Sequence, residues 1–351
     1  MIYFSCICIA SLLAMAAQKR DSKRLIFMVA LILSLLCGLR GDSVGVDTMN
    51  YMRYLQNLQS SGIGFGSDIG FSAFAYVLLK IFNDYHIILL ICAILTNYLI
   101  VFRLWDFRDK ASMALMIFIF AVIQYPYTFN IVRQFLAIAL IFWGTRYLDR
   151  GKTWGYVLIN ILTASIHTSS LACFSIIFLK NSRGENRRRK KYMWCMLSVL
   201  FVVIGFATFS TNIQKYEQHL ATVSYSFHGL TLIRFLSAAL VIAANRALNN
   251  SEFSVSLEGE NVALNKDIIY LYLLGLLTAG IGMFFPFMNR IGFYFLTFEM
   301  PFWGQTVYAK ANRGVYRCMI AVILIYVLSA TLFGDSEGLI NYTTFLKSGG
   351  I

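Results

Sequence analysis

Charge is scarce in this 351-residue chain: Asp, Glu, Lys and Arg together supply 13% of it, against 58% hydrophobic residues. That balance cannot cover a water-soluble fold of this size and sets aside a soluble enzyme or DNA-binding domain. Ordered cysteine spacing is also missing. The seven cysteines, Cys6, Cys8, Cys37, Cys92, Cys173, Cys195 and Cys318, are scattered through mostly apolar runs, with neither zinc-ligand spacing nor a disulfide framework. A basic stretch ahead of the first apolar run, 2–17, is lacking too. Although that run ends in AMAA, its charges follow it, in QKRDSKR, which favours an uncleaved first helix with its N-terminus outside over a signal peptide. No sizeable soluble domain, heptad array or internal repeat is evident.

What remains is an all-α, polytopic membrane chain. Apolar runs fall near 2–17, 25–39, 86–102, 112–125, 130–146, 153–167, 168–180, 192–210, 229–245, 268–285, 290–309 and 315–333, giving about 12 transmembrane helices, some short, tilted or re-entrant. The segment 69–82 decides the register, since a crossing there would swap the side of every later loop. Reading it as an interfacial or re-entrant helix places six basic connections in the cytoplasm: QKRDSKR, RLWDFRDK, RYLDRGK, KNSRGENRRRKK, the 246–266 loop and KANRGVYR. The opposite register exports the RRRKK cluster at 187–191, against the positive-inside rule. That cluster abuts a membrane helix and lacks interleaved aromatics, so it reads as a topology anchor or anionic-lipid contact and not as a nucleic-acid site. The expected organisation is one domain over 1–351, containing an outer-face loop and interfacial helix over 40–85 and a cytoplasmic loop over 246–267.

All but eight of the 30 Lys and Arg residues lie in those six connections. The eight are Arg40, Arg53, Lys80, Arg133, Lys215, Arg234, Arg290 and Lys347. Arg133, in FNIVRQFLAIAL, poses the sharpest question, because a cation in a membrane span costs on the order of 2.5–3.5 kcal/mol on insertion scales unless something offsets it. Arg133, Arg234 and Arg290 each stand at or near the start of a run descending from outside to inside. The helix dipole disfavours a cation there and favours an anion, and arginine's planar fork suits a bidentate grip on phosphate. Snorkelling toward headgroups accounts for any one of them singly, less readily for three. Arg40 ends an ascending helix, where a cation is favoured anyway, so structural and ligand roles are both open for it.

Two further features lie on the outer side. His167 sits in the turn TASIHTSSL, where Thr168 and Ser169 can cap the helix that follows. A lone histidine there is commonly a satisfied polar residue, yet its ordinary pKa of about 6.5 lets it take a proton from a hydroxyl at neutral pH. The long loop from Gly41 to Ser67 carries GVDTMNYMRYL and leads into SDIGFSAFAYVLLKIF. Its Asp47, Tyr51 and Arg53, with Asp68, suit hydrogen bonding to sugar hydroxyls, although the glycines and aspartates serve equally as turn formers. Two separated carboxylates do not define a metal site.

The order GVDTMNY, SDIGF, NIVRQFLAIAL, SIHTSSL, NRIGFYF, over about residues 40–300, resembles the EpsG-like family of exopolysaccharide and O-antigen polymerases, the Wzy type. The resemblance implies a multi-pass glycosyltransferase of the bacterial inner membrane, its active site facing the periplasm or cell exterior. Such an enzyme joins oligosaccharide repeat units carried on undecaprenyl pyrophosphate, which serve as both donor and acceptor. It further implies membrane lipids, a chain-length regulator and a flippase as partners, and calls for no nucleic acid, cofactor or metal. The pattern assigns Asp47, Arg133, His167 and Arg290 to matching positions and Asp68 to the acidic-glycine motif; Arg234 is added from topology alone.

On this expectation Arg133 and Arg290, supplemented by Arg234 and Arg40, bind the pyrophosphate and stabilise it as it leaves. His167 is the first candidate for general base and Asp47 the second, while Asp68, Tyr51 and Arg53 hold sugar. An O-antigen ligase would use the same donor with a different acceptor. A lipid-linked oligosaccharide flippase would need a charged path to the midplane and related halves, neither of which is visible.

Overall fold

The computed structural model describes residues 2–64, 68–180, 227–250, 266–282, 286–308, 321–322, 324–325 and 342–345. Among them the chain is helical, its only β pairing an isolated antiparallel bridge between Arg40 and Thr344. Helices α1 (Ile2–Arg20) and α2 (Lys23–Gly38) form a hairpin. α1 buries Tyr3, Ile7, Ala10, Ala14 and Ala17 and leaves Ile2, Phe4, Ile9 and Leu12 exposed. That spacing is one helical face, and its three alanines let neighbouring axes approach closely.

The scaffold of the site is a pair of helices running in the same direction, α5 (Tyr85–Trp105) and α7 (Val132–Asp149). Arg103, near the end of α5, donates to Thr145 Oγ1 near the end of α7 at 3.0 Å and pairs with Asp106 at 3.1 Å and with Asp149. Arg146 closes on Asp106 at 2.8 Å, so one end of the bundle is a lattice of charge. The chain returns between them through α6 (Met113–Ile119), which loosens into a π turn (Phe120–Gln124) and a 3₁₀ turn (Tyr125–Phe129). Carbonyls released by such irregular turns need other donors. The Tyr3 hydroxyl supplies one to Ala121 O at 2.8 Å.

α8 (Thr153–Ile166) climbs back to the end where α7 begins, and a 3₁₀ turn (Thr168–Phe174) leads into α9 (Ser175–Lys180). Beyond it come α10 (Phe227–Asn250), α11 (Lys266–Gly282), α12 (Pro286–Leu296) and α13 (Glu299–Tyr308). Among the described residues, two helices, α1 and α5, are long and apolar enough to cross a membrane. Trp154, Leu158, Ile161 and Leu162 on α8, and Leu232, Leu236 and Leu240 on α10, form exposed apolar stripes at helical spacing. Exposed apolar stripes of this kind are consistent with a membrane protein.

The described helices depart from the sequence reading in three places. The 41–67 loop holds a helix, α3 (Thr48–Ser61), whose Tyr51, Met52, Leu55 and Leu58 are buried at i, i+4, i+7 spacing. Its other face is polar, so mean hydropathy hides an amphipathic helix that periodicity would have found. The run 290–309 is two helices broken at Thr297 and Phe298, the first starting earlier, at Pro286, where proline's fixed φ suits a helix start. The run 168–180 opens as the 3₁₀ turn. Segment 69–82 is a helix over the expected residues, α4 (Ile69–Phe82). The runs 192–210 and most of 315–333, the RRRKK cluster, Lys215, Lys347 and most of the 246–267 connection lie outside the described residues.

Candidate functional site

At the end of the bundle opposite the Arg103 lattice, three elements converge on one carboxylate. Asp68 immediately precedes α4, where an aspartate ordinarily caps its own helix, a contact worth about 1 kcal/mol. Its side chain makes no such bond. Instead Oδ2 lies 3.1 Å from Arg133 Nη1 and 3.5 Å from His167 Nδ1, and the carboxylate also accepts the Thr168 amide. Burial alone would raise the Asp68 carboxyl; His167, Arg133 and the Thr168 amide outweigh it and hold the group below the usual carboxylate value.

Arg133 is the second residue of α7, in the turn whose amides point outward. Aromatic rings wall its guanidinium: Tyr54 at 5.1 Å, Tyr51 and Phe71 each at 5.8 Å from Cζ to ring centroid. Tyr51 also accepts the Arg133 backbone N–H at 3.3 Å. Burial pushes the Tyr51 phenol up against the pull of Arg133, so it stays protonated at neutral pH. The ring faces hold the arginine, Tyr51 also through its hydroxyl, and its side chain keeps 34% exposure.

His167 separates α8 from the 3₁₀ turn in an extended conformation, its N–H bonded to Thr163 O at 2.9 Å. Both ring nitrogens are shielded from solvent, and neither forms a hydrogen bond of good geometry within the described residues. The Asp68 contact, at 3.5 Å, is electrostatic in range. Thr168 and Ser169 do not cap by side chain as their sequence position suggested, since both lie inside the 3₁₀ turn. The Thr168 amide serves Asp68, and Ser169 Oγ donates to the buried Tyr294 hydroxyl at 3.3 Å. Tyr294 brings NRIGFYF to the same place.

The other candidates divide. Arg290 is half-buried in α12, and its carbonyl accepts Gln134 Nε2 at 2.6 Å, so the residue following Arg133 fixes the backbone of Arg290. Arg290 sits one turn inside its helix and Arg234 two turns inside α10, deeper than expected because both helices start earlier. Arg234 is buried, 3.3 Å from Glu299 Oε2, and Tyr272 donates to Glu299 Oε1 at 3.0 Å. Its nearest anion is thus a carboxylate of the chain. Arg40 is 2% exposed, bonded to Thr48 Oγ1 and Cys37 O at 3.0 Å each, with Phe129 at 5.7 Å. It ties the end of α2 to the start of α3. Asp47 precedes α3 with its N–H on Asn130 Oδ1 at 3.3 Å and its carboxylate accepting Asn50 Nδ2 at 3.1 Å. Arg53 is exposed, 3.4 Å from Asn50 Oδ1. Sequence reasoning missed Glu299, Gln134 and Tyr294. Glu299 carried a readable signal, a lone carboxylate inside an apolar run, which in a membrane chain calls for a partner.

A sequence model of the EpsG family matches residues 23–344, nearly the whole chain and every residue of the Asp68 cluster. The chain belongs to the EpsG family. No curated protein and no solved structure shows significant similarity. Membership in the EpsG family supports, broadly, a polysaccharide-polymerase role for this membrane protein, and Asp68, Arg133 and His167, three of the residues singled out in the sequence, meet in space.

Proposed function

We propose that the protein polymerises oligosaccharide repeat units carried on undecaprenyl pyrophosphate, at the outer face of a bacterial inner membrane that the chain crosses about a dozen times. The observation that carries this reading is the meeting of Arg133 and His167, from separate elements, around Asp68. One is a cation suited to a diphosphate, the other a base suited to a hydroxyl.

In the proposed reaction, the acceptor hydroxyl of a new lipid-linked unit attacks the anomeric carbon of the growing chain. Its proton passes to His167 as the carbon–oxygen bond to the diphosphate breaks, and the bonding electrons leave on the phosphate oxygen. Arg133, whose guanidinium keeps donors beyond the one on Asp68, neutralises the departing charge. Arg290, whose backbone is held beside α7 through Gln134, is assigned an assisting role. Arg40 and Arg234, each engaged within the protein, are assigned supporting roles, Arg40 in holding the α3 segment and Arg234 in holding α10 to α13. Asp47, Tyr51 and Arg53, all on or beside α3, are assigned to the sugar side.

Arg133→Lys tests the reading, because lysine keeps the charge and loses the planar fork. Expected is roughly a 10²-fold fall in polymerisation, the lower end of what one positioned charge-stabilising donor contributes. Polymer ladders of normal length and amount from this variant, in a strain deleted for the gene, would remove Arg133 from diphosphate binding.

A further inference from the structure

The sequence marks Asp68 as a sugar ligand; its surroundings point to a different task. A sugar-binding carboxylate needs its oxygens free for hydroxyls, whereas this one, 13% exposed, is engaged by Arg133, by the Thr168 amide and by the electrostatic reach of His167. A merely structural aspartate at the start of a helix would bond that helix, and this one does not. Its contact to His167 is through Nδ1, which leaves Nε2, also without a partner among the described residues, as the remaining nitrogen of the ring.

Resting on the polymerase reading above, we infer that Asp68 is the positioning residue of the reaction, holding the tautomer in which His167 Nδ1 carries the proton and Nε2 is the proton acceptor. A carboxylate facing Nδ1 favours a proton there and stabilises the imidazolium formed when Nε2 takes the acceptor's proton. The same oxygen steadies Arg133, so one side chain sets the distance between the diphosphate grip and the base. The contact need not be short before substrate arrives, since such bonds commonly tighten only in the loaded enzyme. Asp68 therefore acts on turnover through His167 and is not needed for holding the lipid diphosphate.

The test separates binding from turnover in the full chain. Undecaprenyl diphosphate binding to the detergent-purified protein is measured beside polymer formation in the deletion strain, for Asp68→Asn, Asp68→Glu, His167→Gln and Arg133→Ala. Expected for Asp68→Asn is binding within about threefold of wild type and polymerisation reduced tenfold to hundredfold, part of the ~10²–10⁴-fold contribution of a general base. Asp68→Glu should restore part of the turnover, Arg133→Ala should lose binding, and His167→Gln should lose turnover. Full polymerisation by Asp68→Asn, or loss of its binding and turnover together with no rescue by Asp68→Glu, overturns the positioning role. Full activity of His167→Gln, or no binding by wild type, instead overturns the parent reading and this inference with it.

Discussion

Asp68 shows how a residue's role changes once its neighbours are known. In the sequence it is an acidic turn residue before a glycine, suited equally to a cap or a sugar contact; in the fold it is the counter-charge of Arg133. A titration follows from the Arg133, His167 and Thr168 contacts, which hold the folded-state carboxyl below its ordinary 3.8. A depressed carboxylate stabilises the fold above the unfolded-state value, and this contribution disappears as pH falls through the lower, folded-state value. Thermal melts of wild type and Asp68→Asn should therefore still differ at about pH 5 and converge only below about pH 4. Convergence near pH 6 would mean that the carboxylate is not held in its charged form. Arg133 and His167 were legible as candidates because a charge or an imidazole among apolar residues stands out. Their common partner was not, since Asp68 and Arg133 lie 65 positions apart with no periodic signal linking the two.

Among the elements, the contact between α4 and α8 governs the site. Gly70 lies two residues after Asp68, and Ser165 two residues before His167. A Cβ added at Gly70 would stand 2.8 Å from Ser165 Cβ and 2.9 Å from the Ser165 carbonyl carbon, so a backbone atom, and not only a flexible tip, would have to move. Overpacking of this kind costs about 1–3 kcal/mol and is relieved by shifting helices. Here the shift separates Asp68 from His167. Gly70→Ala should accordingly lower polymer yield by more than tenfold while the protein still accumulates in the membrane, as read from gels of polymer and from immunoblots. Gly64→Ala, with open space at its Cβ, should leave both at wild-type levels. Helix α4 was legible to its ends because hydropathy marks it, and α3 was hidden because half its surface is polar. The close approach at Gly70 could not be read from the chain, since glycine in SDIGF is equally a turn residue until its neighbour is placed.

Among the described residues of α5 and α7 and their neighbours, charge is sorted by end. Arg103, Arg146, Asp106 and Asp149 lock one end of α5 and α7, while Asp68, Arg133 and His167 occupy the other end of α7, an 18-residue helix about 27 Å long. Under the membrane orientation proposed from the basic loops, the arginine lattice faces the cytoplasm and the proposed diphosphate site faces the exterior. The buried Arg234–Glu299 pair is the described ionic group that most favours a transporter, since charge within the bundle is what a translocation path requires. It is, however, a neutralised pair hydrogen-bonded by Tyr272, and breaking it to pass a substrate would strand a buried charge at a cost of about 3–5 kcal/mol. The functions therefore separate by phenotype. In a lipopolysaccharide-making host, deleting a polymerase should leave single repeats exported and attached at the surface. Loss of a flippase should leave no surface repeat, and loss of a ligase should leave polymer on the undecaprenyl carrier. Single surface repeats, restored to long ladders by the wild-type gene but not by His167→Gln, are the expected result; polymer still forming on the carrier in the deletion strain would move the chemistry of Arg133 and His167 from chain growth to chain transfer.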